Sequence, residues 1–139
     1  MNYTRRDALV IGAGAAVAVA MPFRAFAERH ADAISAFTGG ADVAQTGVEL
    51  TAPEIAENGN TVPISVAADG ASEIIIFAVG NPVPEVIKFT FGPRSGASSA
   101  ATRCRLAGTQ DLIAVAKMAD GSFAQATVNV KVTIGGCGG

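Results

Sequence analysis

One histidine, two cysteines and little charge of either sign are what this 139-residue chain offers for chemistry. His30 and the widely separated Cys104 and Cys137 cannot assemble the usual zinc sites, which draw on three or four clustered nitrogen and sulfur ligands. A c-type haem needs C-x-x-C-H, and no such run occurs. Neither a G-x-S-x-G turn nor a phosphate-cradling P-loop is present. The carboxylates are scattered, chiefly at turns, where solvation accounts for them. His30 reads as a solvated helix residue. Catalysis within the chain is not expected, nor is a cofactor or a metal.

Basic residues are also scarce. Lys and Arg number 10 against 12 Asp and Glu. Three of the cations (Arg5, Arg6 and Arg24) fall in the first 27 residues, so the remainder carries a net charge of about −4. That argues against nucleic acid, which needs a basic surface, and against adsorption to anionic lipid.

The first segment reads as an export leader. Thr4-Arg5-Arg6-Asp7 precedes a charge-free stretch from Ala8 to Met21, and Ala25-Phe26-Ala27 supplies the A-x-A spacing of a signal-peptidase site. The apolar stretch of 14 residues reaches only about 21 Å as a helix, short of the roughly 30 Å needed to span a membrane. The paired Arg5 and Arg6 point to the twin-arginine route, although Ala8 stands where that motif commonly carries phenylalanine. The expectation is a leader over 1–27, one folded domain over 28–134 and a tail over 135–139. The mature protein would work in the periplasm and have no membrane attachment.

Beyond the leader, the spacing of Ala33, Ile34 and Phe37 predicts one helix over 28–38, stopped by Gly39-Gly40. Thereafter the period is two. Short strands are expected around Val48–Leu50, at Val62/Ile64/Val66, over Ile74–Val79 and at Ile87/Phe89/Phe91. Others follow at Thr102/Cys104/Leu106, over Leu112–Met118 and from Ser122 to Ile134. Asn58-Gly59, Asp69-Gly70 and Asp120-Gly121 mark turns, and Asn81-Pro82-Val83-Pro84 a rigid loop. Pro63 lacks a ladder N–H, which places its strand at an edge or near a strand end. The unbroken run Ile74–Val79 suits a strand covered on both faces. Ala126, Val128, Val130, Val132 and Ile134 share one face of the last strand. About seven strands with no helix between them predict an immunoglobulin-like antiparallel β-sandwich with a short N-terminal helix.

The chain then ends in Gly135-Gly136-Cys137-Gly138-Gly139. Four glycines around one thiol make a poor packed element, because ordering them is entropically costly. The stretch reads as a mobile arm, with Gly135, Gly136, Gly138 and Gly139 as its flexible parts and Cys137 as its nucleophile. An extended chain from Ile134 to Cys137 reaches about 10 Å, and glycine flanks let the backbone enter a narrow channel. Cargo held by a thiol in this way would be joined by reversible sulfur–sulfur chemistry. Cys104, between the outward Arg103 and Arg105, reads as a small buried hydrophobe. A Cys104–Cys137 disulfide would tie the arm to the core and need Cα atoms within about 7 Å. A disulfide between two Cys137 arms is the readier resting state.

These features resemble the SoxY family, the sulfur-substrate carrier subunits of the periplasmic Sox thiosulfate-oxidising system. The resemblance is carried by Pro53 to Pro63, by Asn81 to Val86 and by Thr109-Gln110 with Ala114-Val115-Ala116. Asp120 to Phe123 and Val132 to Gly139 complete it, and the twin-arginine leader agrees. It implies that Cys137 accepts thiosulfate oxidatively with a c-type cytochrome partner, giving a cysteine S-thiosulfonate. A hydrolase then releases sulfate, and a sulfane dehydrogenase, where present, oxidises the remaining sulfane sulfur. It also implies a heterodimer with a second small sandwich subunit, SoxZ. Two rivals predict different behaviour. A terminal Gly138-Gly139 thiocarboxylate carrier would need ATP, from which export removes the chain. An exported binding or adhesion module would leave Cys137 incidental.

Overall fold

The computed structural model describes residues 21–135, with side chains described from Glu28 onward. Helix α1 (Met21–Thr38) starts seven residues before the expected Glu28 and ends where predicted. Gly39 and Gly40 follow at φ of 65° and 79°, a backbone that L side chains rarely adopt. The Gly40 amide turns back to the Ser35 carbonyl at 3.2 Å, which closes the helix end. His30 is half-buried in the helix and its Nδ1 is buried without a hydrogen-bond partner. The expectation of a fully solvated imidazole is corrected accordingly.

Among the described residues nine strands follow: β1 (Val43–Ala44), β2 (Glu49–Thr51), β3 (Ile55–Asn58), β4 (Val62–Ala67), β5 (Ala71–Ala78), β6 (Glu85–Thr90), β7 (Ser99–Cys104), β8 (Gln110–Met118) and β9 (Phe123–Ile134). The larger sheet runs β1-β9-β8-β5-β6, and the smaller one β2-β4-β7. Together they form the expected sandwich. Two parallel pairings are added to its antiparallel ladders: β1 lies beside the start of β9, and β3 beside its end, with Ala56 opposite Val132 and Asn58 opposite Ile134.

The alternation read from the sequence sets the faces. Val62, Ile64 and Val66 of β4 meet Ile74, Ile76, Leu112, Ala114 and Val130 between the sheets, with Cys104 and Leu106 closing one end of the core. Ile74, Ile76, Leu106 and Leu112 are completely buried, each contributing on the order of 1.5–3 kcal/mol from burial. Ile75, Phe77 and Val115 point from the other face of the larger sheet and pack on Ala33, Ile34 and Phe37 of α1. Phe37 and Phe123 meet edge to face, with ring centroids 5.6 Å apart. The helix is therefore the second cover that the unbroken apolar run of β5 requires.

Pro63 is the second residue of β4, the strand-end alternative: β4 lies in the middle of its sheet, but β2 ends opposite Ser65, so Pro63 faces only Arg103 of β7 and no ladder is lost on its other side. Along β9, burial falls from the wholly buried Val130 to Ile134, which is 65% exposed. The ladder with β8 ends at the Gln110–Val130 pair, so β9 runs past its antiparallel neighbour and out of the core.

Candidate functional site

The end of β9 leads into Gly135, and neighbouring segments hold it on either side. On one side β3 pairs with it in parallel, and the Lys131 amide donates to the Glu54 carbonyl at 2.9 Å. Beyond β3, the Gly59 amide donates to the Ile134 carbonyl at 2.7 Å, and the Leu106 amide donates to the Gly59 carbonyl at 2.7 Å. On the other side, the Val132 amide donates to the Thr109 hydroxyl at 3.0 Å. Hydrogen bonds thus reach β9 up to its final residue.

Gly135 continues this packing. A Cβ built there would overlap the Ala107 carbonyl oxygen, so only a bare backbone can pass. The glycine serves close approach at this point. Gly135 is half-buried, and with Ile134 it forms the root from which the tail leaves. Gly136, Cys137, Gly138 and Gly139 lie outside the described residues, as do Arg5 and Arg6.

Ala107 belongs to the loop between β7 and β8, and a buried amide pair shapes that loop. Asn81 is 6% exposed and Gln110 7%. The Asn81 Nδ2 donates to the Arg105 carbonyl at 2.8 Å, while its Oδ1 accepts from the Ala107 amide at 3.0 Å and from Gln110 Nε2 at 2.9 Å. Gln110 in turn accepts from the Gly80 amide at 2.8 Å and donates to the Gly108 carbonyl at 3.1 Å. Two side chains therefore fix the backbone from 105 to 110, including the carbonyl against which Gly135 rests. A satisfied buried network of this kind rigidifies what it touches. Strand reasoning missed both residues, because polar amides in a proline loop and at a strand start look like surface. The signal that could have found them was their place within the stretches carrying the family resemblance.

Cys104 sits where the alternation put it, buried in the core, with Arg103 and Arg105 exposed on either side. Burial raises its thiol above the ordinary value of 9.0, which disfavours the reactive thiolate. Among the described residues, no group of three or more His, Cys, Asp or Glu could hold a metal, and no helix is long and apolar enough to cross a membrane.

The end of β9 is thus held by hydrogen bonds from Gly59 and Thr109 and by its pairing with β3. The family model for the sulfur oxidation protein SoxY matches residues 34–137. The solved structure of the sulfur carrier protein SoxY from Chlorobium limicola f thiosulfatophilum superposes with a TM-score of 0.68 at 37% identity, over 78% of this chain and 99% of that one. A superoxide reductase (neelaredoxin) from Ignicoccus hospitalis gives a TM-score of 0.55 at 15% identity, over 63% of this chain and 80% of that one. A putative superoxide reductase from Thermotoga maritima gives 0.52 at 17% identity, over 61% and 84%. The last two are likenesses of fold alone. No curated protein matches the chain by sequence.

Proposed function

The chain belongs to the SoxY family of sulfur oxidation proteins, and from that premise we propose that Cys137 is the covalent attachment point of its cargo. Family members carry sulfur for Sox-system partners and do not themselves catalyse, and this chain is such a carrier. The observation that carries the proposal is the reach of the family match, which runs to residue 137 and so includes the cysteine. The packed root supports it, since a carrier needs a fixed point from which a short tail can be aimed.

The Cys137 thiol and thiosulfate join through a new sulfur–sulfur bond, releasing a proton and passing two electrons to a c-type cytochrome partner. Water then cleaves the terminal sulfur–sulfur bond on a hydrolase, so that hydrogensulfate leaves and a persulfide stays on Cys137. A sulfane dehydrogenase then takes six electrons from the outer sulfur while three waters supply its oxygens and protons are released, giving a cysteine S-sulfonate, and a second hydrolysis releases hydrogensulfate and frees the thiol. Gly136, Gly138 and Gly139 supply the slim, flexible flanks that let the cysteine enter each partner, and Gly135 links them to β9. The working unit is a heterodimer with a SoxZ-like subunit. Arg5 and Arg6 direct export through the twin-arginine pathway, residues 1–27 are removed, 28–134 form the carrier domain and 135–139 the arm, all in the periplasm.

The test is the intact mass of the protein taken from the periplasm of thiosulfate-grown cells, with and without reductant. Reductant-sensitive additions of sulfur or thiosulfate on the Cys137 peptide are expected, with a new N-terminus near Glu28. Thiosulfate oxidation should stop in Cys137→Ala with the fold unchanged. Retained oxidation in that variant would overturn the assignment.

A further inference from the structure

The loops that hold the root of the arm also border a groove with a distinct chemistry. It lies at the same end of the sandwich, between the start of β6 and the end of β7, the outer strands of the two sheets. The cavity has a volume of about 470 Å³. Asn60, Val83 and Glu85 line it together with Arg103, Cys104 and Arg105. Arg103 and Arg105 are two positions apart and both exposed, while Cys104 between them is turned into the core. In the sequence after residue 27 no other two cations stand so close. Glu85 lines the groove beside the cation pair.

Hydrogen bonds hold the Arg105 backbone and the Arg103 side chain. The Asn81 amide fixes the Arg105 carbonyl at 2.8 Å. Arg103 Nη1 donates to the Thr61 hydroxyl at 3.3 Å, which engages one of the five guanidinium donors. The groove is joined to the arm through two consecutive hydrogen bonds, Leu106 to Gly59 and Gly59 to Ile134, and Asn60 of its lining directly follows Gly59. A tail of about 10 Å from Ile134 to Cys137 therefore starts one residue contact from the groove wall.

We propose that this groove is an oxyanion site that receives the charged sulfonate end of the cargo on the arm. The inference rests on the carrier reading and adds a place for the cargo between partners. A sulfonate presents three oxygens on a tetrahedral sulfur, which a planar guanidinium fork engages by paired charge-assisted hydrogen bonds. Docking would be selective by charge. The S-thiosulfonate and S-sulfonate forms carry the group and would be held, whereas the neutral thiol has nothing to dock. The arginines would thus shield the loaded sulfur–sulfur bond from stray thiols and release the empty arm.

The exported protein, with any subunit that co-purifies, can be loaded chemically. Tetrathionate transfers its thiosulfonate half to the Cys137 thiolate and releases thiosulfate, and the single adduct is checked by mass. Amide hydrogen exchange is then followed in peptides covering 57–61 and 102–107. Slower exchange is expected in the loaded protein, but not in protein capped with iodoacetamide, and Arg103→Gln/Arg105→Gln should abolish the difference. Dithiothreitol should strip the adduct about fivefold faster from the double variant, the factor that corresponds to about 1 kcal/mol. Unchanged exchange on loading, or equal stripping rates, would overturn the groove assignment. That failure is separate from one of the carrier reading, which is decided by thiosulfate oxidation in Cys137→Ala.

Discussion

Replacing Asn81 with alanine should loosen the backbone against which Gly135 packs at the end of β9. Three hydrogen bonds disappear: one to the Arg105 carbonyl, one from the Ala107 amide and one from Gln110. At about 1 kcal/mol each the loss is about 3 kcal/mol. Asn81 also lines the groove, so water can reach part of the space and satisfy some of those groups. The net expectation is a loss of about 2–3 kcal/mol in urea unfolding, or roughly 8–12 °C in melting temperature for a domain near 100 residues. Asn81→Asp keeps the acceptor but turns an anionic oxygen toward the Arg105 carbonyl. At neutral pH it should lose at least as much stability as the alanine variant. The diagnostic readout is local: the amides of Ala107, Leu106 and Gly59 should exchange faster relative to those of β5 and β8. A loss below about 1 kcal/mol, or exchange accelerated evenly across the sheet, would refute the view that this side chain organises the end of the sandwich.

Two further predictions concern the root and the second thiol. Gly135→Ala puts a methyl group against the Ala107 carbonyl oxygen, so the root must shift. It should slow partner-dependent loading of Cys137, leave the reaction with a small disulfide reagent unchanged, and cost about 1–2 kcal/mol; loading at the wild-type rate would show that root geometry is immaterial. Burial raises the folded-state pKa of Cys104 above 9.0. The native state then holds a proton that the unfolded chain gives up, so this contribution is complete below pH 9.0 and fades as pH rises through the folded value. Stability measured from pH 8 to 11 should therefore fall more steeply in the wild type than in Cys104→Ala, and equal slopes would contradict this account of the core thiol.

Much of this architecture is legible in the chain because local signals agree with the packing. The alternation in β4, β7 and β9, the continuous run of β5 and the glycine stop of α1 all appear where patterning places them. Strand β3 was hidden because Ile-Ala-Glu-Asn has no clean period and its partner lies more than seventy residues away. Strand β1, two residues long, is beneath what a pattern can resolve. Ile134 continues the apolar face of β9 in sequence, yet its exposure depends on where β8 stops, which is a property of the sheet. The amide pair Asn81–Gln110 is likewise visible only once two loops have met. For the site itself, the thiol and its glycines can be read directly, whereas the way their root is held cannot.

The position of β9 also bears on how the protein is made. Strand β9 is an interior member of the larger sheet, with β8 on one side and β1 and β3 on the other. A chain released before this strand would lack the partner of three others and could not close its sandwich. Folding must wait until β9 has been translated, with long-range pairings left until late. Truncated products would consequently remain unfolded and open to proteolysis. They would not accumulate as well-formed but armless decoys competing for the same partners. By making β9 an interior strand whose far end leads to Gly135, the fold makes its own completion a check that translation has reached the residues just before Cys137.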